Sequence, residues 1–154
     1  MLFRSVSGTT VTITATAANC VVQATKAADT NYLQATDQVT ITVAKATQTI
    51  TALTNGSDGT TATYSSPNGT VTLSSSGGSG TGSVTYAKVS GDCTVVGTTA
   101  TITGGTNNCV VEATKAADTN YLAATDQVTI TVAKATQTIT ALTNGSDEIG
   151  RAHV

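Results

Sequence analysis

Threonine and an aliphatic residue trade places along much of this chain with a period of two. In DQVTITVA, Val128, Ile130 and Val132 fall on one side and Thr129 and Thr131 on the other, the alternation of a strand with a single buried face. The same pattern predicts inward positions at Ile50 and Ala52 in TQTITAL, Val71 and Leu73 in NGTVTLS, and Val84 and Tyr86 in GSVTYAKV. It continues with Ala100 and Ile102 in TATIT and with Cys109, Val111 and Ala113 in CVVEA. Turn-forming clusters separate these runs, among them Asn55-Gly56-Ser57-Asp58-Gly59, Pro67-Asn68-Gly69, Ser90-Gly91-Asp92 and Ala117-Asp118-Thr119-Asn120. Gly and Asn tolerate the positive φ such turns need. About seven short strands with turns every 8 to 12 residues or so predict an all-β fold, an antiparallel β-sandwich.

The pattern occurs more than once. The segment from Cys20 to Asp58 returns from Cys109 to Asp147, a period of 89 residues, with only Gln23 changed to Glu112 and Gln34 to Ala123. Upstream, GTTVTITATAANC from Gly8 aligns with GTTATITGGTNNC from Gly97. One whole repeat therefore spans residues 45–133, preceded by the C-terminal half of another (6–44) and followed by the first strand of a third (134–147). A threonine-rich β-solenoid is the competing architecture, but solenoid coils repeat at roughly 20 to 30 residues or fewer, and this period has the size of a whole sandwich domain.

Both tails break the repeat. The last seven residues, EIGRAHV (148–154), resemble the in-frame translation of a sequencing-library adapter, and LFRS at Leu2 to Ser5 resembles the translation of its reverse strand. Residues 1–5 and 148–154 are set aside on that resemblance as processing scars. With them go the only His (His153), both Arg (Arg4 and Arg151), the only Phe and the only Met.

What remains is poor in chemistry. The chain holds 36 threonines, only 10% charged residues and 3% aromatics, which disfavours helix and favours strand. Five lysines against eight carboxylates leave residues 6–147 with a net charge of −3, no footprint for nucleic acid. No apolar run approaches the length of a membrane span. Without His, and with carboxylates standing singly, no enzymatic activity, cofactor or metal is expected. Asp118-Thr119-Asn120, like Asp29-Thr30-Asn31, has the look of part of a calcium loop but lacks the ligand series such a loop requires. It is read as a structural turn in which Asp118 and Asn120 cap their own backbone, followed by Tyr121 (and Tyr32) as a plug of the core. Cys93 and Cys109 flank the hairpin TVVGTTATIT and either pair or stay reduced and buried. A disulfide predicts Cα atoms about 4.4–6.8 Å apart, a stabilisation of about 3 kcal/mol and an oxidising setting. Cys20 has no partner because its counterpart position, 4, belongs to the adapter-like tail.

The run CTVVGTTATITGGTNNCVVEATKAADTNYLAATDQVTITVAKATQTIT resembles the second half of bacterial Ig-like repeats found in tandem in large surface and adhesin-like proteins. It carries the C-T-V-x-G-x-x-x-T-I-T strand pair, the A-T-K-A-A-D-x-N-Y-x-A-A-T loop and the V-A-K-A-x-Q-T-I-T junction. It departs at Gly104-Gly105-Thr106-Asn107-Asn108, where the usual G-x-G-T-C is looser. The resemblance implies an Ig-like sandwich acting as a stalk or spacer of a secreted or cell-surface bacterial protein, with neighbouring repeats as its partners. An adhesion module that takes a host or matrix glycan or protein through loops such as residues 74–82 is the alternative. Some Ig-like surface domains also carry a Lys to Asn isopeptide cross-link, for which Lys45, Lys88 and Lys115 are the candidates.

Overall fold

The computed structural model of the chain describes residues 4–14, 18–65 and 69–139. Every regular element in them is a strand. The adapter-like residues 1–3 and 148–154, and the predicted third-repeat strand from residue 140 onward, lie outside the described residues.

Four strands come from the half repeat: β1 (Arg4–Ser7), β2 (Thr10–Ile13), β3 (Cys20–Lys26) and β4 (Ala35–Ile41). Eight come from the whole repeat: β5 (Ile50–Thr54), β6 (Thr60–Thr63), β7 (Thr70–Gly77), β8 (Val84–Ser90), β9 (Cys93–Val96), β10 (Thr99–Ile102), β11 (Cys109–Lys115) and β12 (Ala124–Ala133). The whole repeat forms two four-stranded sheets, in the orders β5-β7-β10-β9 and β6-β12-β11-β8. All their pairings are antiparallel except β6 on β12, which is parallel, with Ile130 opposite Thr60 and Ala133 opposite Thr63. The fold is a β-sandwich.

The alternation seen in the sequence is the burial pattern of the two sheets. β11 reads buried at Cys109, Val111, Ala113 and Lys115, and β12 at Val128, Ile130 and Val132. Opposite them lie Ile50, Ala52, Val71, Leu73, Ala100 and Ile102. These side chains form one core, with Val84 and Tyr86 packed at its margin. Each fully buried Leu or Ile here is worth roughly 1.5–3 kcal/mol of transfer free energy. The outward threonines keep strand propensity without making a sticky face.

β6 is the strand that the hydrophobic pattern does not reveal. TTAT carries one small apolar residue, Ala62, and only that residue packs on the core. Its place is set from outside, by the turn in which Asn55 adopts φ 50° and hydrogen-bonds both ways with Thr72. That turn moves the chain from the edge of one sheet to the edge of the other. The residue ending β5, Thr54, is fully buried, and its hydroxyl donates to the Ser57 carbonyl.

The half repeat folds as two separate hairpins, β1 with β2 and β3 with β4. Their registers are those of the whole repeat displaced by 89: Arg4 faces Ile13 as Cys93 faces Ile102, and Cys20 faces Ile41 as Cys109 faces Ile130. Most of their side chains are exposed, as expected for half a sandwich, although Cys20 is buried as a free thiol.

Candidate functional site

The features that bear on function lie at the two ends of the sandwich, where the loops gather, and at the staple between its sheets. Cys93 on β9 and Cys109 on β11 are disulfide-bonded with Cα atoms 5.7 Å apart, inside the predicted window. Because β9 and β11 belong to different sheets, the bond joins the two layers. Gly91, at φ +92°, makes this approach possible, since any Cβ there would collide with the Asn108 carbonyl.

At one end, Asp118 organises the loop before β12. Its Oδ1 accepts from the amides of Asn120 and Tyr121, both at 2.8 Å, the capping turn that the sequence predicts. Its Oδ2 reaches across to the β7–β8 loop and accepts from the Thr81 amide at 2.6 Å and the Thr81 hydroxyl at 3.1 Å. The Thr81 amide, followed by those of Asn120 and Tyr121, lowers the Asp118 pKa to about 2, because each donor favours the carboxylate. With both oxygens engaged by this chain's own donors, the motif works as a clasp between loops.

The incoming chain docks on the same end. Ala46 pairs with Tyr121 as an isolated bridge, and Gln48 spans from the Leu122 carbonyl to the Gly80 amide. Tyr121 is half-buried at this end of the sandwich, and the rings that pack against the central core are those of Tyr64 and Tyr86. The reading of Tyr121 as a core plug is corrected accordingly. Tyr32 is 71% exposed, because the half repeat has no opposing sheet.

At the other end Asp92 plays the corresponding part. Its carboxylate accepts from the Asn107 and Thr106 amides and from the Asn107 side chain, and these bonds hold its pKa below the usual aspartate value. An open cleft of about 600 Å³ lies on this end, lined by Tyr64, Gly105, Thr106, Lys134, Ala135 and Gln137.

Several working residues escaped the sequence reading. Asp126 on β12 accepts from the Ala52 amide on β5 at 2.8 Å, a carboxylate joining the two sheets. Asn108 accepts from the Val132 amide, and Asn19 repeats the bond with Val43 in the half repeat. An isolated acid or amide carries no marker for such a role. Of the three cross-link candidates, Lys45 and Lys88 are exposed, whereas Lys115 is buried and donates from Nζ to the Gly82 carbonyl at 3.1 Å. Among the described residues no group of three or more His, Cys, Asp or Glu could hold a metal ion, and no helix is long and apolar enough to cross a membrane.

The fold and its ends thus define a class, a β-sandwich stapled between its layers and clasped at both ends. The chain matches no protein-family model, no curated protein and no solved structure.

Proposed function

We propose that the chain is a segment of a tandem array of Ig-like sandwiches that serves as a spacer in a secreted or cell-surface bacterial protein of the adhesin kind. The observation that carries the reading is where the chain enters and leaves the whole repeat. Ala46 docks beside the loop that begins β12, and the chain departs at Ala133, where β12 ends. Ten strand residues separate these points, roughly 30 Å at about 3.3 Å per residue. A repeat that takes the chain in at one end and releases it at the other adds length with each copy.

The strand order supports the Ig-like assignment. The order β5-β7-β10-β9 against β12-β11-β8 corresponds to A-B-E-D against G-F-C, with β6 added as a parallel edge beside G. The staple joins D to F, rather than B to F as in antibody domains, and no Trp packs on it. The disulfide supports an oxidising, extracellular setting.

An array of glycans and matrix proteins probed with the chain tests the spacer reading. No saturable binding is expected, since the β7–β8 loop carries no aromatic residue or Arg, the usual anchors of an interface. Saturable binding would overturn the spacer in favour of an adhesion module.

A further inference from the structure

The cleft at the far end of the whole repeat is lined in part by residues that also belong to the next repeat. Ala135 and Gln137 are the counterparts, 89 residues on, of Ala46 and Gln48. In the whole repeat those two residues are fastened to the domain they precede. The Ala46 amide donates to the Asn120 carbonyl, and its carbonyl accepts from the Leu122 amide, both at 2.8 Å. Gln48 donates from Nε2 to the Leu122 carbonyl at 2.7 Å and accepts at Oε1 from the Gly80 amide at 2.9 Å. The preceding strand is fastened just as close to the junction, since the Ala133 carbonyl accepts from the Tyr64 amide at 2.9 Å.

Only Lys134 lies between these two anchorages. Two peptide units span at most about 7 Å, so the ends of successive repeats are held against each other. We propose that the cleft formed by Tyr64, Gly105 and Thr106 is the seat of the following repeat, occupied by its counterpart of the loop from Thr119 to Leu122. The junction is then a fixed joint. Gly105 fits this role, because a Cβ there would stand 3.2 Å from the Lys134 Cα: the absent side chain lets the connecting residue pass close. Leu122, which is 46% exposed at the incoming end of the described repeat, is the apolar side chain that the joint covers in the next one. This inference rests on the tandem-array reading and adds to it which surfaces meet.

The test lengthens the chain, replacing residues 148–154 by the sequence of residues 59–133 so that the third repeat is complete. Residual dipolar couplings are measured for both whole repeats. A single shared alignment tensor is expected, with the amide signals of Gly105 and Thr106 displaced from their positions in the original chain. Two independent tensors, matching those of a variant with Gly-Ser-Gly-Ser inserted after Lys134, would overturn the joint whatever the amide signals do. That outcome leaves the spacer reading standing, since beads on loose links still add length. Saturable glycan binding would defeat the spacer reading and leave the joint untouched.

Discussion

Residues 20–41 and 109–130 are almost the same sequence, and they adopt the same hairpin in the same register. Their surroundings differ. Val128 is 3% exposed and its counterpart Val39 is 59% exposed; Ile50 is 8% exposed and its counterpart Ile139 is 93% exposed. Strand formation and pairing follow from local alternation and the turn between the strands. Burial requires the facing sheet, which the half repeat lacks. The polar network divides in the same way. Asp29 keeps the bonds to Asn31 and Tyr32 that Asp118 makes to Asn120 and Tyr121, since those partners lie within the loop. Asp37 bonds to the amide of its neighbour Gln38, where Asp126 reaches the Ala52 amide on the other sheet.

Deleting the same side chain from both copies should expose the difference between them. Ile130→Ala should cost about 2–5 kcal/mol, against within about 0.5 kcal/mol for Ile41→Ala, read from denaturant unfolding of the whole repeat. Equal effects would mean that the half repeat shares the core. Next in size, Cys93→Ala should destabilise the whole repeat by about 3 kcal/mol, seen as a lower unfolding midpoint that reductant no longer shifts. The reverse experiment restores the missing partner in the half repeat. Arg4→Cys is expected to form a second disulfide with the buried Cys20, and intact mass before and after reduction reports it.

Asp126→Ala should cost about 1–3 kcal/mol by leaving the Ala52 amide without its partner, while Asp37→Ala should change little. The smallest effect concerns pH. The Asp118 pKa is lowered from 3.8 to about 2, so its stabilisation is fully present above the unfolded value near 3.8 and is lost as pH falls through about 2. Asp92 is lowered as well and acts in the same direction. Asp118→Asn should flatten the acid limb of the stability profile over that range, and NMR titration of the carboxyl carbon should place its midpoint well below that of an unfolded aspartate.

Much of the sandwich is legible in the sequence because its alternating residues are the ones it buries. Of the inward positions the alternation assigns, Ile50, Ala52, Val71, Leu73, Ala100, Ile102, Cys109, Val111, Ala113, Val128, Ile130 and Val132 are buried, while Val84 and Tyr86 are only half-buried at the margin of the core. The capping turn at Asp118 was legible too, since its first two bonds are local. Its grip on Thr81 was not, nor were the partners of Asp92, Asp126 and Gln48, which arrive from distant parts of the chain. β6 was hidden for a related reason. Nearly all that holds it is backbone pairing with β12, and backbone groups are the same in every residue. The cleft owes its shape to Gly105 and to Lys134, Ala135 and Gln137, residues that no single 89-residue repeat unit holds together.

That parallel pairing of β6 with β12 has a mechanical meaning. The chain runs from its incoming end through β5 into the start of β6, and leaves from the end of β12. Tension applied across the repeat therefore draws the two strands in opposite directions along their common axis. The ladder bonds between residues 60–63 and 130–133 are strained together, as in a lap joint under shear, and cannot open one at a time as a zipper does. Once that seam yields, the disulfide still ties residue 93 to residue 109 and keeps the β9–β10 hairpin between them from paying out, so the length released is limited by a covalent stop.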